Sequence, residues 1–296
     1  MAPPVGIVTG GSSGIGWALV QHLVSMGWNV VIADVHPPKE SIPNNKTLYV
    51  RTDVSSWEQQ ADMFKQAYAW GKRLDFCALN AGIDDRDDIF NSLSYDVDKP
   101  PKQPNTRTFS VNLTGTYYGI KLAAHYMTIP SKHGGKAKLG GKIIVTSSGT
   151  GLFPTPGIPQ YSATKHALVG LVRALGRSKA ALEANVRINA VCPAIVATGA
   201  LPPGLLDVIP PNQITPMSTI LRCFDALGDF GDVGHDDWVE QGRMGETVEG
   251  NVQDLIWHHP PVRPQGQGGS FAREKGALAV AQVYKERNRQ FAIAGE

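Results

Sequence analysis

The chain has 296 residues, 42% of them hydrophobic, with a formal charge of +2 from 28 basic and 26 acidic side chains. That length supports one large core, since a single domain runs to about 250–300 residues, and scattered, nearly balanced charge excludes the basic footprint that nucleic acid or an anionic membrane requires. Cys77, Cys192 and Cys223 stand apart with no C-x-x-C spacing, which disfavours structural zinc, any other metal site or a disulfide framework and points to a reducing compartment.

The chain opens MAPPVGIVTGG, without the charged start and apolar run of a secretory signal, and no later window reaches the roughly 18 apolar residues of a membrane span. A cytoplasmic protein is expected. Residues 5–9 (VGIVT) read as a strand that breaks into glycines before a helical pattern through Leu19, Val20, Leu23 and Val24. Further β-rich runs lie at 28–34, 47–53, 74–80, 141–147, 185–192 and 251–257. Most are continuously apolar, as parallel strands covered on both faces are. Helical patterns fill 56–71, 104–128, 160–183, 215–227 and 272–290. This alternation predicts an α/β, doubly wound parallel sheet of about seven strands, because parallel neighbours need crossover connections. Segments 84–106 and 199–250 hold the irregular, Pro- and Gly-containing stretches and read as substrate loops or lids, while 259–271 is a linker of turn formers. The expected organisation is one domain over 1–258, followed by a linker and C-terminal helix over 259–296.

TGGSSGIG at 9–16 sits between the first strand and the first helix. Glycines there permit a tight turn and let a backbone approach a pyrophosphate, and the helix N-terminus favours negative charge. Gly10, Ser12, Ser13, Gly14, Ile15 and Gly16 are the candidate contacts. Asp34 closes the second strand eighteen residues after Gly16, where a carboxylate accepts from ribose hydroxyls, with Val35 beside it. An aspartate repels a 2′-phosphate, and no Arg or Lys lies in the glycine turn or directly after Asp34. NAD is therefore expected over NADP. Asp53 and Val54 close the third strand, and Asn80, Ala81 and Gly82 the fourth. All lie at carboxyl ends of predicted strands, the edge where open α/β sheets bind ligands.

Tyr161 and Lys165 stand four positions apart in GIPQYSATKH and share a helix face. A free tyrosine titrates near ~10, and bringing it to neutrality takes about 4 kcal/mol in favour of phenolate. A desolvated ammonium and an oxidised nicotinamide ring supply charge of the right sign. Ser148, thirteen residues upstream at the end of KIIVTSS, offers a hydroxyl to a substrate oxygen while Tyr161 exchanges its proton; Ser147 is the neighbouring alternative. Asn112 interrupts a helical pattern in FSVNLTGTYYG, where asparagine is a mediocre helix former. It reads either as a kink holding a water beside the lysine or as a capping or solvent-facing residue.

With these motifs and NAVCPAIVAT at 189–198, residues 5 to about 200 resemble the short-chain dehydrogenase/reductase superfamily. YSATKHALVGLVRAL, VRINAVCPAIVATGAL and ETVEGNVQDLIW are similar to its hydroxyprostaglandin-dehydrogenase-like branch, including fungal natural-product members. The resemblance implies a Rossmann-like fold, an NAD(P) cofactor and a tetrad of Asn112, Ser148, Tyr161 and Lys165. In that scheme Tyr161 is the acid/base, Ser148 polarises the reacting oxygen, Lys165 lowers the tyrosine pKa and holds the nicotinamide ribose, and Asn112 keeps a relay water. Pro193, Ile195 and Thr198 fall beside the nicotinamide. The chain departs from the family in having Ala194 where Gly is usual and Leu79 where a second Asn is common. In the family the helices over 104–128 and 160–183 form a two-fold bundle, so the resemblance implies a homodimer.

The expected activity is NAD-dependent interconversion of a secondary alcohol and a ketone on a hydrophobic small molecule, with Leu152, Phe153, Leu201, Leu205 and Met217 as candidate substrate walls. A dinucleotide-binding sensor or scaffold, and a non-redox isomerase or cyclase, are the alternatives on the same fold. His258 and His259 are expected in a solvated loop.

Overall fold

The computed structural model describes residues 2–40, 42, 45–90, 93–131, 134, 136, 139–229, 243–261, 282–284 and 286–287. Two compact units divide the chain, Met1–His258 and His259–Glu296. In the first, the β-rich runs become β1 (Val5–Thr9), β2 (Asn29–Asp34), β3 (Thr47–Arg51), β4 (Phe76–Leu79), β5 (Gly141–Thr146), β6 (Val186–Pro193), β7 (Thr247–Asn251) and β8 (Asp254–Trp257). They form one Rossmann-like sheet ordered β3-β2-β1-β4-β5-β6-β7-β8.

The sheet has eight strands, one more than the sequence pattern predicts. Its first seven pair in parallel and β8 turns back antiparallel on β7. The run 251–257 therefore holds the last residue of β7, a turn and all of β8, and the strand over 247–250 is the one the sequence pattern lacks. Val252 takes φ +50° at its turn, a costly conformation for a β-branched residue. Two threonines hold it there: Thr219 Oγ1 donates to the Val252 carbonyl at 2.7 Å, and Thr215 Oγ1 accepts from the Val252 N–H at 2.9 Å.

Continuous apolar strands make sense because successive residues go to opposite faces. Ile7, Val31, Cys77, Ile143 and Ala190 join one core with α2 (Trp57–Gly71), α4 (Gly115–Met127) and α5 (Pro159–Leu175). Val8, Val30, Ile32, Ala78, Ile144 and Val191 join the other with α1 (Gly14–Ser25) and α7 (Met217–Gly228). Phe64, Phe76 and Phe224 are fully buried, each contributing about 1.5–3 kcal/mol of hydrophobic stabilisation.

Two helical patterns are subdivided. The run 104–128 starts as α3 (Arg107–Phe109), passes through a π-helical turn over Ser110–Thr114 and continues as α4. The run 160–183 stops at Leu175 and resumes as α6 (Lys179–Glu183). Most of the pattern at 272–290 lies outside the described residues, of which 282–284 and 286–287 are helical. Because β1 lies between β2 and β4, the connections leaving β1 and β4 diverge, opening a crevice at their carboxyl ends.

Candidate active site

The turn after β1 is built so that only glycine fits. Gly10 has φ +63°, and a methyl there would stand 2.9 Å from the Ala81 Cα; at Gly16 it would stand 2.1 Å from the Gly10 carbonyl. Thr9 Oγ1 accepts from the N–H of Asn80 at 2.9 Å and of Ala81 at 3.1 Å, and Asn80 Nδ2 donates to the Thr9 carbonyl at 3.2 Å. These bonds lock the ends of β1 and β4 together. Ser13 precedes α1 without a side-chain cap, so the first-turn N–H groups, Gly14 to Gly16 among them, point out of the helix with no intrahelical partner. Ser12 Oγ is buried with no hydrogen-bond partner. Free backbone donors, an orphaned hydroxyl and the positive end of α1 suit the pyrophosphate of a dinucleotide. Thr198, in the loop after β6, faces this turn: its side chain lies 3.4 Å from where a Gly14 Cβ would stand.

Asp34 Oδ2 accepts from the Ser12 N–H at 3.1 Å and Oδ1 from the His36 N–H at 3.2 Å, which holds the carboxylate at the crevice mouth beside the exposed Val35. The β2–β3 register sets Arg51 opposite Asp34, an exposed cation invisible from Asp34's sequence neighbours. Asp53, expected to face an adenine, accepts from the Ser55 N–H at 2.9 Å and the Ser55 hydroxyl at 2.7 Å, and pairs with Arg107 at 3.5 Å. Burial pushes its carboxyl up, but the Ser55 bonds and the neighbouring arginines outweigh that and hold it below the ordinary range. Val54 lines a narrow crevice with Thr9, Leu79, Ala81, Gly115 and Thr116.

The four residues singled out for chemistry converge at the end of β5. Ser148 follows that strand; its Oγ accepts from the Thr150 N–H at 3.1 Å, and it is near enough to the Tyr161 phenol to favour the ionised form. Lys165 is 3% exposed; its Nζ donates to the Thr146 carbonyl at 2.8 Å and lies 5.3 Å from the centroid of the Tyr161 ring. A Cβ on Gly82 would stand 3.4 Å from both Lys165 Nζ and Asn112 Oδ1, so the end of β4 meets this group as well. Ser147, the alternative hydroxyl, is spent on the Lys165 carbonyl at 2.8 Å.

Asn112 sits in the π-helical turn, wholly buried. Its Oδ1 accepts from the Ile83 N–H at 2.8 Å, and its Nδ2 donates to the Ile83 carbonyl at 2.9 Å and to Thr164 Oγ1 at 3.2 Å. It is neither a cap nor solvent-facing. Its side chain clamps the segment after β4 to α5, and its carbonyl accepts from Thr116 Oγ1 at 2.7 Å.

Burial dominates the electrostatics of the protein's own groups. It pushes the Tyr161 phenol above its ordinary value, the Ser148 hydrogen bond pulls the other way, and Asp84 and Cys192 add to the rise. The same effect lowers Lys165 to about 8 and raises the Cys192 thiol to about 11. Within the chain, burial therefore outweighs the pull that lowers the phenol.

Residues 4–203 match the family model for short chain dehydrogenases. The chain belongs to the short-chain dehydrogenase/reductase family. It is 32% identical to the short-chain dehydrogenase/reductase prx6 of Penicillium rubens over 89% of this chain and 88% of that one. It is 31% identical to human 15-hydroxyprostaglandin dehydrogenase [NAD(+)] over 67% of this chain and 70% of that enzyme. The fold matches ligand-free aldohexose dehydrogenase of Thermoplasma acidophilum with a TM-score of 0.65 at 24% identity, covering 89% and 98% of the two chains. Family membership makes the protein an oxidoreductase that uses a nicotinamide dinucleotide and acts on small molecules.

The two departures from the family pattern have structural partners. Leu79 packs against Gly119 of α4, where a methyl would stand 2.5 Å from its Cδ2, and the Ala194 N–H donates to the Gly250 carbonyl at 3.0 Å. Pro193 ends β6, buried, while Ile195, two residues on, is exposed. Among the candidate substrate walls, Phe153 is 63% exposed, Leu152, Leu201 and Leu205 are half-buried, and Met217 packs on the core of α1 and α7. Ile15 also packs on that core, leaving its backbone for the crevice. Residues 230–242 of the expected 199–250 lid lie outside the described residues.

His258 departs from the solvated loop expected for it: Nε2 meets Glu249 Oε2 at 2.7 Å, and the ring packs edge-on against Phe153. Sequence reasoning also missed Thr164 and Asp85. Asp85 accepts from the Gln160 N–H at 3.0 Å and the Tyr161 N–H at 2.5 Å. Its signal lay at 158, where the residue before Pro159 is an isoleucine, unable to cap the helix it precedes. Among the described residues no group of three or more His, Cys, Asp or Glu side chains suits a metal, and no helix is long and apolar enough to cross a membrane.

Proposed function

We propose that the protein is an NAD-dependent dehydrogenase/ketoreductase that interconverts a secondary alcohol and a ketone on a hydrophobic small molecule, with Tyr161 as acid/base. The observation that carries this reading is the convergence of Tyr161 with the buried Lys165, whose Nζ lies 5.3 Å from the phenol ring, and with Ser148 at the end of β5, at the strand edge that also bears the glycine turn. The turn at Gly10–Gly16 and the Ser12 hydroxyl would hold the pyrophosphate, and Asp34 the ribose hydroxyls. Val54, Ala81 and Gly82 would wall the adenosine and ribose side, with Lys165, Pro193, Ile195 and Thr198 toward the nicotinamide. When bound, the nicotinamide supplies the acceptor for the carbinol hydride, or its donor in the reverse direction.

In oxidation the phenolate of Tyr161 takes the alcohol proton as the carbon–oxygen double bond forms; in reduction the phenol returns it to the ketone oxygen. Ser148 holds that oxygen in both directions. Burial favours the protonated phenol, the form that reduction consumes, so oxidation gains as pH rises. Asn112 acts by fixing the Ile83 and Thr164 flanks of the site. The exposed Phe153 supports an apolar substrate wall, and the fungal and hydroxyprostaglandin-dehydrogenase relatives support a secondary-alcohol substrate in natural-product chemistry. Three buried, free cysteines support a cytoplasmic location, and the exposed Tyr117 on α4 supports a dimer across that helix and α5.

The test is a panel of secondary alcohols and ketones assayed with NAD and NADP. Turnover with NAD and an apolar alcohol is expected. Dinucleotide binding without nicotinamide reduction across the panel would favour a sensor, and product formation without absorbance change an isomerase.

A further inference from the structure

The helix that carries Tyr161 starts without a cap of its own. The residue before α5 is Ile158, with no side-chain acceptor, and Pro159 occupies the first turn. The N–H groups of Gln160 and Tyr161 are the second and third of the helix, the two that a capping side chain ordinarily serves. Asp85, 75 and 76 residues earlier, serves both, one carboxylate oxygen to each. Terminal turns fray first, and Tyr161 stands on one.

Asp85 is itself firmly placed. Asn112 grips Ile83 through both its N–H and its carbonyl, and Thr108 Oγ1 donates to the Asp84 carbonyl at 2.9 Å. The far arm of the same segment returns to the same turn: Gln160 Nε2 donates to the Asn105 carbonyl at 3.0 Å, and the Asn105 N–H reaches Asp87 Oδ1 at 3.4 Å. Both ends of the loop between β4 and α3 are therefore fastened to the first turn of α5. We propose that Asp85 is a positioning residue, a cap supplied in trans that sets the first turn of α5 and with it the phenol of Tyr161 against Ser148. The loop it belongs to, otherwise a surface excursion exposing Phe90, Tyr95 and Val97, is thereby braced to the reacting group.

The inference rests on Tyr161 as acid/base, and two independent readouts separate the two claims. Hydrogen exchange of the Gln160 and Tyr161 amides is compared in the native protein, Asp85→Ala and Asp85→Asn, alongside kcat and KM for alcohol and NAD. In Asp85→Ala those amides exchange faster while the interior of α5 does not change. Its kcat falls about ten- to a hundredfold, the scale of a small misplacement of a reacting group, with KM for NAD held within about twofold. Asp85→Asn keeps one acceptor oxygen and recovers part of both losses, and it carries the test if the alanine variant does not fold. Unchanged exchange at 160–161, an unchanged kcat, or a rise in KM for NAD that matches the fall in kcat overturns the proposal. A native protein inactive on every substrate overturns the reading of Tyr161 instead, and exchange alone then decides whether Asp85 caps the helix.

Discussion

Lys165 Nζ donates to the carbonyl of Thr146 at 2.8 Å, buried beneath the ring of Tyr161 whose centroid is 5.3 Å away. Burial lowers the ammonium from 10.5 to about 8, so below pH 8 the folded protein carries a desolvated charge that the unfolded chain keeps in water. Between about pH 8 and 10.5 the folded state has shed that proton and the unfolded state has not, so this destabilisation shrinks as pH rises. At pH 7 it costs up to about 3 kcal/mol, at ~1.36 kcal/mol per pH unit, less whatever the Thr146 bond returns. Lys165→Met is expected to melt at higher temperature than the native protein at pH 7 while losing activity. The difference should narrow toward pH 9.5. Equal melting temperatures at every pH would show that the ammonium carries no such cost.

Asn112 joins three elements through one amide. Asn112→Ala leaves the half-buried Ile83 N–H and carbonyl without their side-chain partners, at about 1 kcal/mol for each. Urea unfolding should show a lower midpoint with unchanged slope. An unchanged midpoint would mean that the Ile83 segment finds water or new partners.

Gly82 separates cofactor fit from folding. A methyl there meets Asn112 Oδ1 and Lys165 Nζ at 3.4 Å, ordinary contact that the free protein tolerates. Gly82→Ala should fold with native melting temperature but bind NAD about tenfold more weakly, about 1.4 kcal/mol. Native affinity would remove Gly82 from the cofactor crevice. Gly16→Ala, whose methyl would overlap the Gly10 carbonyl, should fail at folding instead.

Cofactor choice turns on Asp34 and the arginine across the sheet from it. Asp34→Ala removes the carboxylate and leaves Arg51 at the crevice mouth. The preference for NAD over NADP should fall at least about tenfold, the worth of a hydrogen bond to a charged group. Adding Arg51→Gln should then restore part of the preference by weakening NADP. Competition titrations with both dinucleotides measure it, and an unaltered ratio in Asp34→Ala would place the ribose elsewhere.

Strands were legible where burial on both faces makes them continuously apolar, and β1 through β6 fall within about two residues of the runs at 5–9 through 185–192. The turn between β7 and β8 was not, because the conformation of Val252 is held by Thr215 and Thr219 from another part of the chain. The break after Leu175 falls at Gly176, which packs so closely on Gly245 that a methyl would stand 2.2 Å from its Cα. In the site, the juxtaposition of Ser148, Tyr161 and Lys165 was legible by type and spacing, since they lie at a strand end and on one helix face, and Asn112 marked the interruption of a helical pattern. Their supports were not. Thr164 and Asp85 reach the site by hydrogen bonds that no local pattern encodes, and Arg51 stands opposite Asp34 only through strand register. Nor were the bonds of Asp53 to Ser55 of its own turn and to Arg107 legible beforehand.

The most direct test is steady-state oxidation of an apolar secondary alcohol by Tyr161→Phe, with NAD affinity measured on the same sample. Removing one hydroxyl should cut kcat by about a hundred- to ten-thousandfold, the usual worth of a positioned acid/base, while the dissociation constant for NAD stays within about twofold. Native turnover in Tyr161→Phe would contradict the assignment of the phenol as the proton-exchanging group.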